Sequence, residues 1–320
     1  MTKNLFAAAA VLIFLFTTMT RAVPSGTALA ISGQPQRRAR TQSRNTTSQT
    51  LPRPARFHEV YGRGLLTNVW INSAGPFTFA IDTGAGATIV SPRVAAEAGV
   101  NITSGLGPSL AGMSGAVVAA QYGSIQSLAV GDPDNRLPAG PQVIVSSGLP
   151  RDLDGLLDPN DAFGSWGFVI DVPHQELSAF DPRRAPLESR AEPPDGAIVT
   201  WLTEGGSHRP FVRLSSGELA LIDTGSSLGF AVRDMNPNNR SARGGTVRDV
   251  GGSVSYRRGS PRTIAIGSLV LRNIPTDVVA GAAADAPVML GLNALRPFRL
   301  AFDPLHHLIE IAPDSASGRF

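Results

Sequence analysis

The chain has 320 residues, 42% of them hydrophobic and 17% charged, with 34 Gly, 25 Pro and no Cys, so disulfides, thiolate nucleophiles and Cys-liganded zinc are excluded. The apolar content is too high for a disordered chain, while abundant Gly and Pro with few aromatics favour short strands and turns over long helices. The formal charge of +3 is local: residues 1 to 56 hold eight basic residues and no acid, leaving 20 basic against 25 acidic residues in 57 to 320, which argues against a nucleic-acid partner for the body.

Lys3 precedes an apolar run from Leu5 to Phe16, and Ala28-Leu29-Ala30 forms a cleavage-like site, so residues 1–30 read as a secretory signal peptide. The run is too short to cross ~30 Å of hydrocarbon comfortably. An exported protein, periplasmic or extracellular, with no stable membrane insertion after leader removal is expected. Residues 31–56, rich in Gln, Arg, Ser, Thr and Pro, lack apolar periodicity and read as a disordered basic linker or propeptide.

From Phe57 onward the chain repeats itself. Ala80-Ile81-Asp82-Thr83-Gly84-Ala85 returns as Leu221-Ile222-Asp223-Thr224-Gly225-Ser226. Strand-like runs precede each copy: Leu65 to Asn72 and Gly75 to Ile81 in the first, Phe211 to Leu214 and Leu219 to Ile222 in the second. Each is followed by a Gly-rich hairpin region, a strand ending at Gly131 or Gly267, and closing strands at Gly167 to Pro182 or Phe298 to Ile311. Ser91, Pro92 and Gly99 mark the cap, first turn and stop of a short helix, and Leu292 to Leu295 suggests another. The pattern divides the body into lobes at 57–182 and 197–320, joined by a polar, Pro-containing linker at 183–196.

An Asp leaving a strand into a Gly turn projects its carboxylate from a rigid base, because Gly permits backbone conformations barred to other residues. Two such carboxylates meeting on a pseudo-twofold axis cannot both ionise cheaply and share one proton. One then acts as general base on a water and the other as general acid toward an amide carbonyl, with no metal, cofactor or covalent intermediate required.

At these residues the sequence resembles the aspartic proteases, specifically retropepsin-like lobes fused in one chain. Asn68-Val69-Trp70-Ile71-Asn72, Phe79 to Ala85 and Thr88-Ile89-Val90-Ser91 carry the likeness in the first half; Asp223 to Ser227, Ile266-Gly267 and Val288-Met289-Leu290-Gly291-Leu292 carry it in the second. The resemblance implies a mostly β, two-lobed acid-protease fold with pseudo-twofold related, β-barrel-like lobes and few short helices. It implies Asp82 and Asp223 as the catalytic dyad, Thr83 and Thr224 as an interlobe hydrogen-bonded grip, and Gly84 and Gly225 as the turns that expose the aspartates. It further implies an extended polypeptide substrate and a monomer, since both carboxylates come from one chain.

The family's substrate-covering hairpin is matched by Leu110 to Ala116, with Gly112, Met113, Ser114 and Gly115 at its tip, and a second by Val250 to Val254, with Gly251, Gly252 and Ser253. Ser226 follows the second triplet where Ala85 follows the first, so its hydroxyl is expected to donate to Asp223, leaving the shared proton nearer Asp82. The family's two hydrophobics and Gly are present at Met289-Leu290-Gly291, but the first half has Leu156-Leu157-Asp158, a departure that puts that loop's geometry in question.

Other readings are weaker. Gly225-Ser226-Ser227-Leu228-Gly229 fits the serine-hydrolase elbow, with Asp277 or Asp285 and then His306 or His307 downstream, but the sequence after Gly229 does not resemble a helix. A non-catalytic peptide-binding protein of the same fold is the remaining alternative. Asp152, Asp154, Asp158 and Asp161 miss calcium-loop spacing and read as a solvated acidic loop.

Overall fold

The computed structural model describes residues 14–16, 50–105, 107–138, 140–204, 207–235 and 244–314. Most of the stretches expected to be a leader, 1–30, and a basic linker, 31–56, therefore lie outside the described residues.

The repeat in the sequence is a repeat of strand topology. In the first half, Gly64–Ile71 pairs antiparallel with Ala74–Ile81, which pairs parallel with Gly155–Leu157; that strand runs antiparallel to Ile89–Val90, which is parallel to Gln142–Val145. In the second half the same alternation runs through Phe211–Arg213, Leu219–Asp223, Val288–Gly291, Phe230–Arg233 and Thr276–Ala280. The strand paths are open at their ends, so the fold is mostly β but the sheets do not close into the expected barrels.

A third, six-stranded sheet is built from both halves. The hairpins Gly167–Asp171/Glu176–Phe180 and Phe298–Asp303/Leu308–Pro313 join through pairing of their first strands, with Val169 opposite Ala301. The last turn residue of each hairpin, Gln175 and His307, adopts positive φ (54° and 53°). The register is thus symmetric about the Val169/Ala301 pair, which marks the local twofold.

Side-chain alternation explains the layering. Leu65, Val69, Phe79 and Ile81 point into one large core shared with Phe168 and Phe302 of the third sheet and with Val212, Ala220 and Ile222 of the second half. Leu66, Ala80 and Leu156 point the other way, under the first hairpin's Leu110. Ser91 caps the helix Pro92–Glu97, its Oγ accepting from the Val94 N–H at 3.2 Å, and Gly99 ends the turn with φ +61°.

Two boundaries differ from the sequence reading. The end of the basic linker is part of the fold: Ala55–Arg56 adds an edge strand to Glu176–Phe180, and Arg53 pairs with Asp132 at 2.7 Å. The stretch 183–196, expected to be a linker, is likewise packed, because Leu187 is fully buried and its N–H donates to Asp303 Oδ2 at 3.1 Å. The segment Phe14–Phe16 runs antiparallel to Ser109–Ala111. Among the described residues no helix is long and apolar enough to cross a membrane.

Candidate active site

Asp82 follows the strand Ala74–Ile81 and Asp223 ends the strand Leu219–Asp223; both are buried, 1% and 2% exposed. The two carboxyl groups are close enough for the charge of Asp223 to bear on Asp82, and Asp82 Oδ2 has no hydrogen-bond partner among the described residues. Beneath them the two threonines interlock: Thr83 N–H donates to Thr224 Oγ1 at 3.2 Å and Thr224 N–H to Thr83 Oγ1 at 3.1 Å. Each hydroxyl then donates across the junction, Thr83 to the Ile222 carbonyl at 2.6 Å and Thr224 to the Ile81 carbonyl at 3.0 Å. These bonds tie both strand ends to one rigid base.

Gly84 and Gly225 serve a different purpose from the one expected. Neither has positive φ; the left-handed residue of the first loop is Gly86, at φ +75°. A Cβ at Gly84 would lie 2.7 Å from Asp223 Cγ, and one at Gly225 would lie 2.3 Å from Asp82 Cγ. Glycine is required because each loop's backbone lies against the opposite carboxyl group.

The pair is electrostatically unequal. Asp82 Oδ1 accepts from Gly84 N–H at 2.8 Å, whereas Asp223 Oδ1 accepts from both Gly225 N–H at 2.9 Å and Ser226 N–H at 3.1 Å. Burial pushes Asp82 well above the usual carboxylate range, and the charges of Asp223 and Asp158 push it further. Burial raises Asp223 only to about 6, since the Gly225 and Ser226 amides, Asp82 and the Arg209 guanidinium favour its ionised form. The additional main-chain donor favours the charge on Asp223 over the charge on Asp82. The Ser226 hydroxyl is not the cause: its Oγ accepts from Leu228 N–H at 3.3 Å, and the donor to Asp223 is the main chain.

Asp158 occupies its unusual position without left-handed backbone, at φ −85° and ψ 110°. A Cβ at the corresponding Gly291 would strike the Leu228 carbonyl oxygen and lie 2.9 Å from that of Ser226, because Leu292 N–H binds the Ser226 carbonyl at 2.7 Å and Asn293 N–H binds the Leu228 carbonyl at 3.1 Å. In the first half the residue in place of Leu292 is Pro159, which has no N–H to draw the loop inward. Asn160 instead turns its N–H and Nδ2 onto Asp158 Oδ1, at 3.0 and 2.7 Å, and its Nδ2 also donates to the Thr83 carbonyl at 3.3 Å. The acidic stretch is not the solvated loop expected: Asp158 is fully buried, and Asp154 Oδ2 accepts from Thr78 N–H at 2.9 Å. Among the described residues no cluster of His, Asp and Glu is arranged to hold a metal.

Both glycine-rich hairpins lie over the junction and cross it reciprocally. The first, Ser109–Ala111 and Val117–Ala119, inserts Met113 into the second half's apolar cluster with Phe211, Leu221 and Val247. The second, Gly244–Asp249 and Gly252–Arg258, inserts Val250 into the first half's cluster with Leu66, Leu110 and Ile144. Asp249 joins them, accepting from Ser114 N–H at 2.6 Å and Ser114 Oγ at 3.0 Å. Gly112 and Gly252 allow this approach, since a Cβ on either would strike Asp249 or Ser114; Gly115 and Gly251 supply the positive-φ turns, and Ser253 sits opposite Arg248 in the second hairpin.

Ser227, by contrast, is followed by the strand Phe230–Arg233, not the helix an elbow nucleophile needs, and His306 is engaged with Asp303 at 2.8 Å and Glu188 at 3.7 Å. Asn160, Arg209 and Asp249 were missed by the sequence reading. Asn160 stands at the same place after its strand as Asn293 does, which was a usable signal; Arg209 and Asp249 gave none.

The site is thus a buried carboxyl pair held by two Asp-Thr-Gly loops within a β-rich fold. Residues 67–157, which include Asp82, Thr83, Gly84 and the first hairpin, match the model of the aspartyl protease family, so this part of the chain is similar to that family. No curated protein matches the chain at a significant level.

Proposed function

We propose that the protein is an aspartic endopeptidase in which Asp82 and Asp223 activate water against a peptide bond. The observation that carries this reading is the pair of buried carboxyl groups on the interlocked Asp-Thr-Gly loops, one accepting a single main-chain N–H and the other two.

In the proposed cycle, ionised Asp223 takes a proton from water as its oxygen bonds to the peptide carbonyl carbon, and protonated Asp82 delivers its proton to the carbonyl oxygen. Collapse of the tetrahedral diol breaks the C–N bond. The leaving nitrogen takes the proton held by Asp223, while a diol hydroxyl returns one to Asp82. The buried site strengthens each of these interactions by excluding water. The substrate is an extended polypeptide lying between the hairpins and the dyad, and one chain supplies the whole site, which supports a monomer. The leader-like residues 1–30 and the basic stretch 31–56 support export to the periplasm or beyond the cell, with the body 57–182 and 197–320 acting as two lobes.

Incubation with an unfolded protein, with and without a hydroxyl-containing transition-state mimic of peptide hydrolysis, tests the reading. Inhibitor-sensitive cleavage is expected; tight peptide binding without cleavage from pH 3 to 8 would instead favour a non-catalytic peptide binder.

A further inference from the structure

We propose that a cleft beside the dyad loop, walled by Asp161, Trp201, Pro304 and Leu305, binds an organic cation: a protonated amine, amidinium or guanidinium carried on an aromatic or aliphatic body. No residue of either hairpin lines it, so the site is separate from the one proposed for peptide hydrolysis and does not depend on that reading.

The cleft has a volume of about 520 Å³, a size suited to a small organic molecule, and segments before and after Asp223 both line it. Asn160 and Asp161 come from the first half, Trp201, His208, Leu305 and His307 from the second. The aromatic wall is fixed in place. Trp201 is buried, its N–H donates to the His307 carbonyl at 2.7 Å, its Nε1–H donates to the Arg209 carbonyl at 3.3 Å, and its ring stands edge-on to Phe302 with centroids 5.9 Å apart. Leu305, 46% exposed, presents apolar surface that gains by being covered.

Asp161 supplies the charge that selects a cation. It is the one acid among the lining residues, and no arginine or lysine stands with it. Its Oδ2 accepts the Thr88 N–H at 3.3 Å, while burial penalises its ionised form and the charge of exposed His208 favours it. An imidazole is ordinarily neutral above pH 7, so at that pH a ligand cation is the natural partner for the carboxylate. The excess of 25 acidic over 20 basic residues in 57–320 adds a long-range attraction of the same sense. The site also touches the dyad loop. Asp161 holds the Thr88 N–H and Asn160 Nδ2 donates to the Thr83 carbonyl at 3.3 Å, so neighbouring residues of the cleft grip both ends of the segment that follows Asp82. A cation drawing on the Asp161 carboxylate weakens its bond to Thr88, and occupancy is felt in that loop.

The test titrates the full chain at pH 8 with benzamidine, an aromatic amidinium, and with benzamide, its uncharged counterpart, by calorimetry and by amide NMR. Saturable binding of benzamidine is expected, with benzamide weaker by at least about tenfold, as for the loss of a charge-assisted hydrogen bond. The Thr88 amide should shift, while the amides of Gly225, Ser226 and the hairpin 109–119 stay in place. Asp161→Asn should weaken benzamidine binding by at least about tenfold. Leu305→Arg, a change at an exposed position that puts a tethered guanidinium into the cleft, should do the same while melting like wild type. Cleavage plays no part in these readouts, so a chain that cleaves nothing can still bear out the inference. Absence of saturable binding, equal binding of benzamide, unchanged affinity in folded Leu305→Arg, or shifts centred on Gly225 and Ser226 instead of Thr88 would overturn it.

Discussion

Gly225 lies so close to the Asp82 carboxyl group that a single added carbon would sit 2.3 Å from its Cγ, and Gly84 stands in the same relation to Asp223 at 2.7 Å. Each half of the molecule thus leaves space for the other's acid. Gly225→Ala and Gly84→Ala are expected to separate the carboxyl groups and cost about 1–3 kcal/mol of stability by overpacking. Cleavage should fall much further than stability, with Gly225→Ala the more severe. Thermal melts alongside kcat measurements check this; equal, mild effects on both would contradict it.

The dyad also makes stability depend on pH in a definite direction. Asp223 has a folded value of about 6 against an ordinary 3.8, so its protonated form is favoured by folding. That contribution is fully present below about 3.8 and is lost as the pH rises through about 6, and Asp82 and Asp158, also raised by burial, add to the loss in the same direction. The melting temperature is therefore expected to fall from pH 4 to pH 8. Asp223→Asn should flatten the part of that fall centred near 6, as differential scanning calorimetry across the range will reveal.

Replacing Ser226 with Ala removes a hydroxyl that accepts from Leu228 N–H but leaves the main-chain donor to Asp223 intact. The acidic limb of the pH-rate profile is expected to stay in place, with a stability cost of about 1 kcal/mol for the stranded amide. A shift of that limb would mean that the hydroxyl itself sets the Asp223 charge.

Asp249 latches the two hairpins through Ser114, a contact between residues 135 positions apart. Asp249→Ala should release both tips, raising amide hydrogen exchange across 109–119 and speeding dissociation of a bound transition-state mimic by on the order of tenfold, as expected for a charge-assisted hydrogen bond. Unchanged exchange in that hairpin would place the latch elsewhere.

The sequence made the local features of this site readable. The two Asp-Thr-Gly loops, both hairpin tips and the Ser91 cap follow from turn chemistry and spacing within a few residues. What escaped it depends on contacts between distant segments. Nothing near Met113 or Val250 announces that each inserts into the opposite half, and Val169 meets Ala301 only because two hairpins share a sheet. Arg209 stands in a polar stretch before Pro210, where solvent exposure is the natural expectation; it is buried with Trp201 bonded to its carbonyl and Phe211 against its guanidinium. Asp158 is tolerated through the missing N–H of Pro159, a compensation that becomes visible only beside the Leu292 amide of the other half.

The central claim is that Asp82 and Asp223 act together on one water. The direct measurement is cleavage of an unfolded protein by wild type, Asp82→Asn and Asp223→Asn, at matched folded concentration and across pH 3 to 8. The account predicts inhibitor-sensitive cleavage by wild type and its loss, by at least about a thousandfold, in each variant alone, since neither carboxyl group can perform both proton transfers. Cleavage that persists in either variant at a comparable rate would contradict it.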